Sequence, residues 1–537
     1  MSWPKFSSTA ISVDRRKSEP NQPARCRRHS GFLYHARCDA LPARAMAAPG
    51  SDANCDDRVY ATLDDLIQTL AVHDAIGMKR PMSQKSDLGG HGLAFADDAG
   101  RGLAGAPDRA CRDGAMPQRT AVGQAPHAPT ALTQAADAHT PSVRSGAGGL
   151  VSALRDAEWL TTDRVTAFTR IFLLLFIGCV ASIPWFAPTM DVGHDFAAFW
   201  TAAKLALEGR AADAYGDAGR AAVAALFGQN SYPPFFYPPT SLWFWLPFAL
   251  VSFATAAFIW IAATGAAYAA AMRAMLKGGS IVPALAFPGA WICALFGQNS
   301  LFSAALLGGS AATLDRYPAI AGVLLGCFSY KPQLALLAPL VLILTRRWRA
   351  LAAAIATTLV LVLATTAIFG IEPWIKFVGV LPEAKAWSLD GRPGFEKFVS
   401  PFAAIRLAGG TSSTAWLIQL MAAAIAISVL VLVLRKRPGG AAEIALMVAA
   451  TGLCVPSLGS YEVVILAIPG AWLIAQALAQ GWLPYERIAL AALYLTPFVM
   501  VPAAANGVQL APLACAALVA LVARRIARPP LAETANH

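Results

Sequence analysis

Charge is what this sequence has least of. Asp, Glu, Lys and Arg together make up only 14% of its 537 residues, where a soluble globular chain carries about a quarter. With 56% apolar residues and a mean hydropathy of +0.50, that shortage excludes an ordinary soluble enzyme and points to a polytopic membrane protein. The nine cysteines form no Cys-x-x-Cys pair and no metal-ligand spacing, which removes a zinc framework and gives no basis for a disulfide one. Five of them (Cys179, Cys293, Cys327, Cys454, Cys515) lie in apolar segments, as small core residues do. The formal net charge is +11, yet no basic face interleaved with aromatics is visible, so nucleic acid is not a partner. In a membrane chain the basic residues mark the cytoplasmic side instead.

The chain divides into three parts: residues 1–160, 161–530 and a short tail, 531–537. The first is rich in Arg, Asp, Gly, Pro, Ser and Ala without sustained apolar periodicity, and is expected to be a mostly disordered cytoplasmic tail. One short helix is expected there, Ala61 to Ile76, with Thr62 as cap and Leu63, Leu66, Ile67 and Leu70 on one face. A start codon placed too far upstream is the other explanation of this segment, with Met46, Met78, Met82 and Met116 as later starts. No apolar core follows the first basic residues, so it does not read as a signal peptide.

From Val165 the pattern changes. Val165 to Ala187 is a full apolar span; a bilayer core of roughly 30 Å needs about 20 such residues. Further candidates begin at Ala254, Ile281, Ser300, Ala319, Leu334, Leu351, Ala415, Ala441, Val463, Ile488 and Leu510, about twelve in all, several short enough to be tilted or broken. The fold expected is an all-α polytopic bundle of about twelve transmembrane helices with a large first extracytoplasmic loop. Three basic clusters, Arg346–Arg349, Arg435–Arg437 and Arg524–Arg528, all fall inside if the spans alternate and Thr240 to Leu250 is a half-helix rather than a crossing. Six polar segments then fall outside together: the Asp191–Asp195 loop, the Tyr-Pro-Pro stretch that closes the first loop, Gly297-Gln-Asn299, Tyr330-Lys-Pro-Gln333, the loop from Ile371 to Ser412, and Pro456 to Glu462. One-sided convergence of this kind suits an enzyme whose site opens outward.

Within these segments the candidate residues have competing roles. Asp195 stands at a helix start, where it can cap free N–H groups or present a general base, with Asp191 and His194 beside it. Tyr237 and its two prolines can anchor at headgroup depth or wall a lipid or sugar ring. Gln298, Asn299, Lys331 and Gln333 sit at junctions of short spans, where polar groups are expensive unless paired or hydrated. Lys331 can meet an anionic phosphate or snorkel to headgroups. Of the charges in the loop from Glu372 to Arg406, most read as solvated surface and Arg406 is singled out.

Taken in order, these motifs resemble the polyprenol-phosphate-sugar-dependent membrane glycosyltransferases of family 87, in the GT-C superfamily. The resemblance rests on Asp195-Phe…Phe199-Trp with Gly209 and Tyr215, Tyr237-Pro-Pro239, Gly297-Gln-Asn299, Lys331-Pro-Gln333, Ser400…Arg406-Leu-Ala-Gly409 and Pro456…Tyr461-Glu462. It runs from about Val165 to Arg525. It implies a GT-C-like fold in the plasma (inner) membrane and an active site on the extracytoplasmic side. It also implies a hexose or pentose moved from a polyprenyl-phosphate donor to a glycolipid or glycan acceptor among membrane lipids. By the same resemblance Asp195 is the base, Lys331 a phosphate clamp and Arg406 a second clamp. The remaining substrate-binding candidates are Asp191, His194, Tyr237, Gln298, Asn299, Gln333 and Glu462. Relatives often carry Asp in the last outward motif, where this chain has Ser460 and Glu462, which bears on donor or acceptor identity. No clear acidic pair for a divalent metal is present, so no cofactor is assigned and a metal is left open. The rival from another class is a transporter or flippase of lipid-linked sugars, whose polar residues would line a pathway instead of clustering on one side.

Overall fold

The computed structural model describes residues 147–186, 193–227 and 234–528, all within the unit Ala53–His537. The expected helix Ala61–Ile76, residue Asp191 and the tail 531–537 lie outside the described residues, as does nearly all of the segment 1–160.

The chain is all-helical, and no β-strand occurs among the described residues. The principal helices are α1 (Ala147–Asp156), α2 (Thr162–Phe186), α3 (Phe196–Leu207), α4 (Asp217–Phe227), α5 (Phe253–Met275), α6 (Pro288–Phe296), α7 (Ser300–Thr313), α8 (Pro318–Gly326) and α9 (Ala338–Leu344). They continue with α10 (Trp348–Phe369), α11 (Glu372–Leu389), α12 (Pro401–Leu407), α13 (Ser412–Leu434), α14 (Gly440–Cys454), α15 (Ala467–Gln480), α16 (Glu486–Ala505) and α17 (Ala511–Ala527).

Six helical stretches among the described residues are long and apolar enough to cross a bilayer: Thr162–Ser182, Phe253–Met275, Trp348–Phe369, Ser412–Leu434, Ser460–Gln480 and Glu486–Ala505. The twelve spans expected from hydropathy resolve into these six and a set of shorter apolar helices. Local chemistry sets the difference. Ile281 to Phe296 is broken at Phe287–Pro288, where proline at the first helical position starts a new helix. Thr240 to Leu250, expected not to cross, is a chain of single helical turns interrupted by Pro247.

The short helices fill the interior. α14 is buried over nearly its whole length, and α7, α13, α15 and α17 pack around it. Close approach elsewhere depends on small residues: Gly322 and Gly326 form a Gly-x-x-x-Gly face on α8 that lies directly on α10. A β-carbon added at Gly322 would overlap the Ala350 carbonyl oxygen, and one at Gly326 would overlap that of Ala354. Gly326→Val is therefore expected to destabilise the protein by roughly 1–3 kcal/mol through overpacking. Gly265→Ala, at a site on α5 with open space around it, is expected to be neutral; thermal unfolding of both variants in nanodiscs checks the contrast.

One end of the bundle is laced by ion pairs. Arg347 makes a bidentate pair with Glu443 (3.0 and 3.1 Å) and reaches Asp315 at 2.6 Å, while Asp315 accepts from the first N–H of α14. Arg525 pairs with Glu486 at 2.5 and 2.8 Å in the same manner. Asp315 follows α7 and Arg347 precedes α10, whereas Asn299 precedes α7 and α11 follows α10. At 1.5 Å per residue the 14-residue α7 is about 21 Å long, so the Arg347 cluster and the polar motifs occupy opposite ends of the bundle.

Candidate active site

The site is built on a turn that only glycine can make. α6 ends at Gly297 with φ +68°, and a β-carbon there would sit 2.9 Å from both Gly193 Cα and Phe196 Cβ. The segment 193–195 is thus pressed against the end of α6. The Gly193 N–H donates to the Leu295 carbonyl at 2.8 Å and the Asp195 N–H to that of Phe296 at 3.0 Å. The Trp260 indole donates to the Gly297 carbonyl at 3.2 Å. Two segments a hundred residues apart in the chain thereby present Asp195 and Gln298 side by side.

The two roles open to Asp195 separate here. It precedes α3, but its backbone is already helical (φ −71°, ψ −21°) and its side chain caps no N–H group. Instead Gln298 Nε2 donates to Asp195 Oδ2 at 2.6 Å, and His194 Nδ1 lies 3.2 Å from Oδ1. The carboxylate is mostly buried yet keeps an exposed edge that lines a cavity.

A second charged centre lines the same cavity. Lys331, in the break between two short helical segments, pairs with Glu462 at 2.5 Å, and both side chains are almost fully buried. Lys331 Nζ also donates to Asn299 Oδ1 at 2.9 Å. The Tyr237 and Tyr461 rings lie 5.5 and 5.6 Å from the ammonium, within cation–π range. Glu462 Oε2 in turn accepts from the Gly459 N–H at 2.7 Å. Gln298 and Asn299, successive residues of one turn, thus hold the carboxylate and the cation respectively.

The cavity has a volume of about 280 Å³, just below the roughly 300 to 1,000 Å³ usual for ligand pockets. Of the residues expected at a site, Asp195, Tyr237, Gln298, Lys331, Gln333 and Glu462 line it. His194 and Asn299 support it from behind through the bonds already given. Arg406 does not line it; its guanidinium donates to the Gly410 carbonyl at 3.1 Å and lies over the Phe395 ring. Asp191 lies outside the described residues.

Trp387, Ser388 and Lys397 also line the cavity. They sit in the loop read from sequence as solvated surface, and nothing in their local pattern marks them. What brings that loop over the cavity is a backbone pairing of 398–400 with 456–459. The Val399 N–H donates to the Leu458 carbonyl at 2.8 Å, and the Ser400 hydroxyl, which caps α12, donates to the Pro456 carbonyl at 2.6 Å. Among the described residues, no group of three or more His, Cys, Asp or Glu side chains is placed to hold a metal ion.

The arrangement joins a carboxylate in reach of solvent to a buried ammonium that faces the same space, beneath an aromatic wall. No curated protein and no solved structure matches the chain. Residues 235–457 match the model of glycosyltransferase family 87, and they include Tyr237, Gln298, Lys331, Trp387 and Lys397 of the cavity. Over that stretch the chain is similar to glycosyltransferase family 87, and six helical stretches among the described residues are long and apolar enough to cross a membrane.

Proposed function

We propose that the chain transfers one hexose or pentose from a polyprenyl-phosphate donor to a lipid or glycan acceptor at the extracytoplasmic face of the plasma membrane. The observation that carries this reading is the shared cavity: Asp195 and Lys331 line the same space, each held in place by a neighbouring amide. Asp195 takes the proton of the acceptor hydroxyl as that oxygen bonds to the anomeric carbon. The bond from the anomeric carbon to the phosphate oxygen breaks, and polyprenyl phosphate leaves with the electron pair. An oxocarbenium-like state of this kind calls for a placed carboxylate and for donors aimed at the departing phosphate.

An ammonium has three N–H donors. Glu462 and Asn299 take two of those on Lys331 and the Tyr237 hydroxyl stands beside the third, so an arriving phosphate oxygen takes the third donor in place of Tyr237, and Lys397 adds a second cation on the cavity wall. The outward placement is supported by the basic residues at the far end of the helices, since such residues stay on the cytoplasmic side.

The test is transfer from labelled polyprenyl-phosphate hexoses and pentoses in membranes that contain the protein, against membranes that lack it. Labelled sugar on a lipid or glycan acceptor is the expected result. Labelled donor crossing the bilayer intact, with no transfer from any donor, would hand the site to a flippase.

A further inference from the structure

The helix α11 has an outer face that no other part of the described chain covers. Ile371, Ile375, Val378 and Leu381 are all exposed, Ile375 to 63% and Val378 to 61%. At helical spacing Ile371, Ile375 and Val378 fall on one side, four and three residues apart. Lys376, about 100° round the helix from Ile375, and Lys385, seven residues beyond Val378, are exposed as well. With Glu372 and Glu383 as well, α11 carries four charges in 18 residues and is not among the stretches able to cross a bilayer. Neither crossing nor internal packing accounts for the stripe.

The stripe begins where a lipid-facing surface ends. α10 has almost no buried residues, and Leu359, Val360, Leu363 and Ile368 are exposed along it. Gly370, at φ +79°, then turns the chain, and Ile371 is the next residue. The uncovered apolar surface of a membrane-crossing helix therefore continues through a single glycine into α11.

The other face of α11 belongs to the cavity. Phe377 packs its ring 6.0 Å from that of Tyr215, Trp387 lies 6.3 Å from Phe236, and Ala384, Trp387 and Ser388 line the space. Pro382, which has no N–H for the Val378 carbonyl, separates the apolar half of the helix from the cavity half.

We propose that α11 is seated in the bilayer surface, with Ile371, Ile375 and Val378 in the acyl region of the leaflet that borders the cavity and Lys376 and Lys385 at headgroup level. A helix whose uncovered side is apolar, and whose exposed lysines can reach headgroups on their long stems, has the chemistry of an interfacial one. The leaflet is then a structural partner of the cavity wall, and a lipid-borne substrate reaches the cavity past α11 without leaving the membrane surface. The seating of α11 does not depend on the transfer reading; the route of a lipid-borne substrate rests on it.

The test uses the full-length protein in phosphatidylethanolamine–phosphatidylglycerol vesicles, with p-benzoylphenylalanine replacing Ile375 or, separately, Val378. Arg392, exposed in the loop that follows the helix, is replaced in the same way as a control. After irradiation, the expected product at 375 and 378 is an adduct with the mass of one phospholipid, at least about tenfold above the level at 392. Cross-linking to a second copy of the chain would make the stripe an oligomer interface and overturn the proposal. Adducts at 375 and 378 no more frequent than at 392 would place the face in water and overturn it too.

Discussion

Asp195→Asn should lower sugar transfer by about two to four orders of magnitude, the usual contribution of a positioned general base, while leaving the fold intact. The substitution keeps the side chain's size and an oxygen that can still accept from Gln298 Nε2, now 2.6 Å from the carboxylate. No helix cap is lost, because the Asp195 side chain makes none. What disappears is the group that accepts the hydroxyl proton. Thermal unfolding should therefore shift by less than about 1 kcal/mol, the range of changes that break no buried network. Transfer within twofold of the unsubstituted protein would remove Asp195 from the chemistry. A large loss of stability along with activity would instead mean that the His194–Asp195–Gln298 contacts hold the α3–α6 junction together, and Gln298→Leu should then unfold the protein to the same degree.

The sequence made the helices and their polar ends readable, but not the pairings among those ends. Apolar runs identify α5, α10 and α13 because a helix that faces lipid must be apolar along its length. The same signal is weak for α6 to α9, where interior helices answer to neighbouring protein and can be short. Asp195, Gln298, Lys331 and Glu462 could each be picked out as a costly polar group in an apolar setting. That Gln298 serves Asp195 and Asn299 serves Lys331 follows from the Gly297 turn and from tertiary contacts spanning up to 131 residues, which leave no periodic trace. Lys397 and Trp387 sit among ordinary loop charges and reach the cavity through the pairing of 398–400 with 456–459 and through the packing of α11 on Phe236 and Tyr215. Arg406 shows the converse: a lone cation on a short apolar helix stands out in sequence, yet here it closes its own helix end on Gly410.

The Lys331–Glu462 pair yields the other large effect, and one that separates stability from chemistry. Lys331→Met leaves Glu462 buried without its cation, and breaking one side of a buried pair costs roughly 3–5 kcal/mol. Removing both charges, in Lys331→Met with Glu462→Leu, takes away that penalty, since apolar residues of similar volume often replace a buried pair at little cost. The recovery should be partial. Asn299 Oδ1 and the Gly459 N–H lose the partners they have now, and a buried polar group without one costs about 1–3 kcal/mol. The single variant should thus unfold well below the parent and the double variant between the two, as read by thermal unfolding in nanodiscs. Neither should transfer sugar, because the donor facing the phosphate is gone in both. A double variant that regains transfer along with stability would reduce the pair to a staple between the 331 break and the 460 turn, and would leave Lys397 as the cation that meets the phosphate. A single variant that stays both stable and active would show that neither the pairing nor the charge matters at this cavity.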